Sequence, residues 1–496
     1  MAIVTPPLPD GAISPMANLG PAVLRGDLEA RGYALDTLDL CGAVRFENRR
    51  RVGRRFPLDP FYANPDRLRA HLDGDHDAAI AAATEALLRE GRLDRYDVVG
   101  FSLCLDTALG PALCLARRLK ESARPPLIVL GGPIFERSDF GYLLELDAVD
   151  AIVKGDGEPA MRALAEGRPL EGIEGVETRG RLARPASVPL DEKACPVFEG
   201  VDVERYRRLG LKGRRWLPYL LTRGCRYRCS FCRDYTNVRF TYTPTEKVLD
   251  DLSRLRRDHA VDSIYFGESN INNDPDAIAA LSEGLVRREL GVAWGGLGTI
   301  SGLDPELIPL MARAGCRFLS IGVETASERL REKWNIGKCR DLGEIRRRLE
   351  LLHAHGIRVN ALFIVSFPHE TREDHVDTMR FLGEVAGYLT TVGASEFDLV
   401  EGSPAHMRQG VFGLSARPRP ATGRYAFLDR YAAFDEIGGL GWEAKQRQAR
   451  VRLTRFEQAA RLRVGLPLAL RLWREDPLYP LRRLVRRPYF DYDVYL

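Results

Sequence analysis

The sequence lacks the marks of several functional classes. No apolar run approaches the roughly 20 residues needed to cross a bilayer, so no transmembrane segment is expected. The first residues, MAIVTPPLPDG, have neither a basic stretch nor a long apolar core, and they do not read as a secretory signal. Net charge is nearly absent, 73 basic residues against 69 acidic ones for +4. That is not the basic footprint of a nucleic-acid-binding chain, so no nucleic-acid partner is expected. Lysine is scarce beside arginine, which reads as compositional bias. Cysteine is sparse, nine in 496 residues; three cluster and the rest are scattered. Disulfide frameworks need a denser pattern, so a cytoplasmic enzyme is the default. What is left, 45% hydrophobic residues, is ample for buried cores. The length suits about three domains of about 150 residues each.

The clustered cysteines are Cys225, Cys229 and Cys232, spaced C-x3-C-x2-C in LTRGCRYRCSFCRDY. An apolar run, Trp216–Leu221, precedes them and reads as a strand. Three thiolates on one short loop can reach three corners of a four-iron cubane, which normally takes four. No fourth cysteine lies nearby, so one iron would stay free to bind something else. A zinc site, which wants a fourth Cys or His close by, and three incidental buried thiols are the other readings.

Upstream, strands alternate with helices. Strands are expected at Ala2–Thr5, Tyr33–Leu38, Val98–Ser102, Leu127–Leu130 and Ala151–Lys154, with helices at Pro21–Arg31, His76–Arg89 and Ala108–Lys120. This alternation predicts a doubly wound, Rossmann-like α/β domain over residues 1–172. Ligands of such sheets sit outside the carboxyl ends of the strands. The loops there are Pro6–Ser14, Leu103–Thr107, Gly131-Gly132-Pro133 and Gly155-Asp156-Gly157-Glu158. Their glycines would let backbone approach a bulky ligand, or serve as ordinary turn glycines. A linker is expected over 173–206, with a hairpin-like piece at Gly175–Arg184 and Cys195 as a semi-buried thiol.

Downstream, over 207–410, six strand–helix units each end in polar or glycine-rich phrases. Phe266-Gly267-Glu268 follows strand Ser263–Phe266, Thr299 and Ser301 follow Ala293–Leu297, and Glu324-Thr325 follows Phe318–Val323. Ser366-Phe367-Pro368-His369 follows Val359–Val365, and Gly402-Ser403-Pro404 follows a strand expected at Ala394–Leu399. Active sites of βα barrels gather at that face. A mainly helical extension is expected over 411–496, with helical periodicity at Gln446–Trp473, a basic run at Leu481–Arg487 and an aromatic tail.

The order of these phrases resembles the radical S-adenosylmethionine (SAM) superfamily with an N-terminal cobalamin-binding domain, over about residues 1–405. The resemblance implies a partial (β/α)6 barrel. Cys225, Cys229 and Cys232 would hold a 4Fe-4S cluster whose free iron binds SAM. Phe231, Gly267, Glu268, Thr299, Ser301, Glu324 and Ser366 would lie near SAM, with Glu268 receiving its amino group. Relatives have Gly-Gly-Glu where this chain has Phe266-Gly267-Glu268, and glycine at the positions of Ser366 and His369. Pro6, Leu103, Gly131, Gly132, Pro133, Gly155, Gly157 and Glu158 would contact cobalamin. The D-x-H-x-x-G motif that ligates cobalt elsewhere is absent, since His76 in DGDHDAA does not match it.

The activity so implied is methylation of an unactivated carbon of a small molecule or peptide. One SAM would serve as methyl source through cobalamin, and another as source of a 5′-deoxyadenosyl radical. An external one-electron donor of flavodoxin or ferredoxin type is implied. The alternative keeps the cluster but drops methyl transfer, giving deoxygenation, dehydration, cyclisation or rearrangement. A transfer-RNA methylthiotransferase would need three further clustered cysteines, and Cys41, Cys104 and Cys114 are far apart. A cobalamin or redox sensor with a vestigial barrel fits poorly with an intact set of cysteines and glutamates.

Overall fold

Alternating burial decides how the first sheet is built. The computed structural model describes residues 1–7, 17–40, 65–137, 140–203, 215–234, 240–336, 339, 341–417, 432–465 and 467. Cys41, most of the Pro6–Ser14 loop, most of the Arg-rich stretch before residue 65, the 481–487 basic run and the aromatic tail lie outside them. In β1 (Ala2–Thr5), Ala2 and Val4 face one way and Ile3 the other, as a period of two requires. Ala2 and Val4 join a core with Leu68, Ile80, Leu87, Leu109 and Leu113, from helices Pro65–Asp73, Ala78–Gly91 and Leu109–Lys120. Ile3 packs with Leu28 and Met161, from helices Leu19–Glu29 and Glu158–Ala165. The sheet is therefore covered by helices on both faces, the doubly wound arrangement. Each such aliphatic side chain contributes about 1.5–3 kcal/mol by burial.

The remaining strands are β2 (Asp36–Asp39), β3 (Val98–Ser102), β4 (Leu127–Gly131), β5 (Ala151–Val153) and β6 (Val176–Thr178). Their order is β2-β1-β3-β4-β5-β6. The first five are parallel and β6 is antiparallel to β5. The order reverses between β1 and β3, and such a switch point opens a crevice at the carboxyl edge. The hairpin-like piece expected at 175–184 is present as a tight turn, with Thr178 N–H donating to Arg181 O at 3.2 Å and Arg181 N–H to Thr178 O at 2.9 Å. Its first arm, Val176–Thr178, also pairs with β5 along the full strand.

The second sheet contains β7 (Trp216–Tyr219), β10 (Ser263–Phe266), β11 (Ala293–Gly298), β12 (Cys316–Glu324), β13 (Arg358–Val365) and β14 (Thr391–Glu396). A separate ribbon of β8 (Thr222–Arg223) and β9 (Thr241–Tyr242) lies between the first two in sequence. The sheet runs in chain order from β7 to β14, and β10 to β14 are parallel. Helices Pro275–Arg287, Leu307–Arg313, Leu342–Ala354 and Arg372–Val385 connect the strands. Gly295 and Gly296 in β11 leave room for neighbours, since a Cβ would meet Phe318 O at 2.4 Å and Phe266 O at 2.6 Å. The last strand begins three residues earlier than expected. As an edge strand it is only half-buried, so it carries no strong alternation. The apolar Phe397 and Leu399 that marked it lie beyond its end, in an aromatic cluster with Trp334, Phe367 and Phe412.

Among the described residues the chain divides between Pro218 and Tyr219, with Leu255–Ala260 grouped with the first unit. The described part of the 173–206 stretch, residues 173–203, belongs to the first unit and the described residues beyond 431 to the second. The linker is stitched on by backbone. Asp156 N–H donates to Ala186 O at 3.0 Å, and Val197 N–H to Ala22 O at 2.9 Å. Among the described residues no helix is long and apolar enough to cross a membrane.

Candidate functional site

The cysteine loop is held from several strand ends at once. Ser230 N–H donates to Trp334 O at 3.0 Å, and Ala405 N–H to Ser230 O at 2.9 Å. Asn335 Nδ2 donates to Arg228 O at 2.8 Å. On the β10 side, Arg226 N–H donates to Asn273 Oδ1 at 3.2 Å, and Cys225 Sγ lies 3.4 Å from the same oxygen. Tyr227 OH donates to Ser301 O at 3.2 Å, beyond β11. Cys229 is buried, while Cys225 and Cys232 are half-buried. Asp234 N–H points to Cys232 Sγ at 3.4 Å, the kind of contact that tunes a cluster sulfur. Among the described residues no three His, Cys, Asp or Glu side chains converge on a position for one metal ion. Zinc requires that convergence; a cubane does not, because each thiolate takes a different iron.

Glu268 follows β10 and is buried at 5% exposure. Its Oε2 accepts from Leu221 N–H at 3.4 Å, and Oε1 has no partner. Burial pushes its carboxyl up to about 8. A buried acid with a free oxygen suits an incoming amino group, which would supply the missing donor and favour ionisation. Next to it runs a feature the sequence reading passed over, Asn270, Asn272 and Asn273, all buried. Asn272 accepts from Thr299 N–H at 2.8 Å and donates to Thr299 O at 2.8 Å and to Ser301 O at 3.1 Å. It fixes the β11 exit, where Thr299 Oγ1 donates to Ser301 O at 2.8 Å. The signal was present as N-I-N-N after a strand, too polar a run to look buried.

Two further strand ends carry unusual backbone. Glu324 closes β12 with φ 67°, where Val323 is left out of the β13 register. Ser366, after β13, has φ 62°, and His369 has φ 58°. These are left-handed conformations that glycine adopts without cost and other residues keep only when their surroundings enforce it.

Residues 219–382 match the profile of the Radical SAM superfamily. That match lies almost wholly within the second unit. An uncharacterized methyltransferase of Pyrococcus horikoshii is 25% identical over 300 residues, 58% of this chain and 63% of that protein. The anaerobic magnesium-protoporphyrin IX monomethyl ester cyclase of Rubrivivax gelatinosus is 28% identical over 304 residues, 57% of this chain and 53% of that one. Each match thus spans less than two thirds of the relative. The radical SAM methyltransferase TsrM of Kitasatospora setae, solved with cobalamin and a [4Fe-4S] cluster bound, aligns at TM-score 0.59 and 20% identity. That alignment covers 85% of this chain and 77% of TsrM, and it is a likeness of fold.

Within the second unit, beyond the matched residues, the helix Trp442–Ala460 braces the β13 exit. Lys445, 2% exposed, pairs with Glu436 at 2.6 Å and donates to Phe367 O at 2.7 Å. Arg452 donates to Glu370 O and Thr371 O, both at 3.1 Å. Ser366 Oγ donates to Gln448 Oε1 at 3.3 Å, so its hydroxyl is met by a residue of this helix. His369 is drawn into the same packing, its Nε2 3.0 Å from Gly413 O. Phe231 stands edge-on to Phe367 with centroids 6.1 Å apart. Breaking a buried ion pair by removing one partner costs about 3–5 kcal/mol. Lys445→Met is therefore expected to lower the denaturant midpoint markedly; an unchanged midpoint would mean that the helix is not anchored there.

In the first unit, the loop residues are largely engaged with their own chain. Pro6 and Leu103 are buried, and Leu103 N–H donates to Gly131 O at 2.8 Å. Gly132 (φ 113°) and Gly155 (φ 77°) are approached by backbone, their added Cβ atoms falling 2.4 Å from Leu103 O and 2.1 Å from Ala186 O. Gly157 packs on Leu24, and Glu158 and Asp156 are ion-paired with Lys193 of the linker. Gly131 has nothing nearer than 3.6 Å at its Cβ position, and Pro133 is exposed.

Proposed function

We propose that this protein is a cytoplasmic, cobalamin-dependent radical SAM enzyme that methylates an unactivated carbon of a small molecule or peptide. The observation that carries the reading is the pairing of an anchored three-cysteine loop with the buried, half-unpartnered Glu268 at the next strand end. Cys225, Cys229 and Cys232 would hold a 4Fe-4S cluster, which supplies the electron that cleaves SAM; a flavodoxin or ferredoxin would supply it in turn. Glu268 would receive the amino group of SAM. Thr299, Ser301, Glu324 and Ser366, at successive carboxyl ends of an open (β/α)6 arrangement, would line the rest, with Gly267 and Phe231 beside them.

Cobalamin, when bound, supplies the methyl group. Its place would be the carboxyl edge of the first sheet, nearest Pro6, Leu103 and Gly131–Pro133. Gly155, Gly157 and Glu158 are accounted for by packing, so support for cobalamin comes from the switch-point topology and the TsrM fold likeness. No step is assigned there to a particular side chain.

The cyclase among the relatives favours a second reading, a radical reaction without methyl transfer. SAM deuterated in its methyl group separates the two. Methylation is expected to deliver the intact deuterated methyl to product, with S-adenosylhomocysteine and 5′-deoxyadenosine formed in equal amounts. Product made with 5′-deoxyadenosine alone, and no methyl gained, overturns methylation in favour of cyclisation, deoxygenation or rearrangement.

A further inference from the structure

Four buried polar atoms without partners lie around the β8–β9 ribbon and the β10 exit: Thr222 Oγ1, Tyr242 OH, Glu268 Oε1 and Asn270 Oδ1. Thr222 and Glu268 are 0% and 5% exposed. Buried polar groups are rarely left unpaired, and several around one carboxyl point to a group still to arrive. We propose that Thr222 and Tyr242 are positioning residues for the amino end of SAM, their hydroxyls completing the hydrogen bonds of the Glu268 carboxylate once it holds the amino group. The proposal rests on the SAM reading above and adds residues to it.

The geometry follows from the ribbon. Thr222 and Tyr242 are directly opposed in the antiparallel β8–β9 register, and opposed residues project from the same face. The ribbon is pinned in place by Thr243, whose N–H donates to Leu221 O at 2.9 Å and whose Oγ1 donates to Leu220 O at 3.3 Å. At its root, Leu221 N–H reaches Glu268 Oε2, and Thr222 N–H also faces this carboxyl. The Tyr242 phenol is raised by burial first, then by the charges of Glu268 and Asp274, so it stays a donor. An ionised carboxylate offers about four acceptor sites. The backbone covers one side of Glu268 and leaves Oε1 for hydroxyls and ligand. Asn270 ties this corner to the cysteine loop, its Nδ2 donating to Asn273 Oδ1 at 3.1 Å beside Cys225.

The test uses the full chain with its cluster reconstituted without oxygen, and two ligands, SAM and the SAM analogue lacking the α-amino group. Tyr242→Phe and Thr222→Val each remove one hydroxyl and keep the shape. Each is expected to weaken SAM binding about tenfold. Affinity for the desamino analogue should stay within about twofold, with iron content unchanged. Equal losses for both ligands, or no loss for SAM, overturn the proposal, because a purely structural hydroxyl cannot distinguish them. Wild-type protein with a full cluster that binds neither ligand overturns the radical SAM reading itself.

Discussion

Replacing Cys225, Cys229 and Cys232 together with alanine is expected to abolish iron–sulfur absorption and all cleavage of SAM. The effect is expected to be all-or-none because the three thiolates on this one loop are the cluster's protein ligands in this reading. Cys114 and Cys316 are buried, and burial alone pushes the Cys114 thiol up to about 12 and the Cys316 thiol up as well. Neither would supply a thiolate near neutral pH. Replacing Cys104, Cys114 and Cys195 should leave iron content and SAM cleavage intact, and the same is expected of Cys41. Iron content is the direct measure. A triple variant that still binds its full complement of iron would remove the basis of the functional reading.

Glu268→Gln should act in two opposite directions. With SAM it removes a charge from the amino-group contact, and a hydrogen bond to a charged group contributes roughly 1.5–3 kcal/mol, a loss of about 10- to 100-fold in affinity. Without SAM it should stabilise the protein. Burial raises this carboxyl from 4.5 to about 8, so between those values the folded protein keeps a proton that the unfolded chain has released. Stability of the SAM-free protein therefore falls as pH rises through that window and levels off above it. At about 1.4 kcal/mol per pKa unit the cost is on the order of a few kcal/mol. The glutamine variant lacks this loss, so its advantage in melting temperature should grow from pH 5 to 8. Parallel pH profiles for the two proteins would show that Glu268 is not held uncharged in the empty site.

Much of the architecture was legible because local rules were strong. The strand Ala2–Thr5 and the strand Ser263–Phe266 have the limits their apolar runs implied. Where one face of an element was not buried, the reading slipped. The edge strand Thr391–Glu396 was placed three residues late because its apolar marker belonged to the cluster beyond it.

The sequence by itself determined which chemistry is available. C-x3-C-x2-C, the strand-end carboxylates at Glu268 and Glu324, and alternating strands and helices are local patterns, and local spacing states them fully. Only the tertiary structure decided how those groups are held. The Asn272 brace on the β11 exit, the Gln448 contact to Ser366 and the Thr222–Tyr242 pair beside Glu268 join residues far apart in the chain. It also decided that Gly132 and Gly155 accommodate neighbouring backbone and that Glu158 pairs with Lys193. A glycine in a loop is the same letter whether a ligand or another strand approaches it, and burial, which sets the state of Glu268, exists only once the chain has folded.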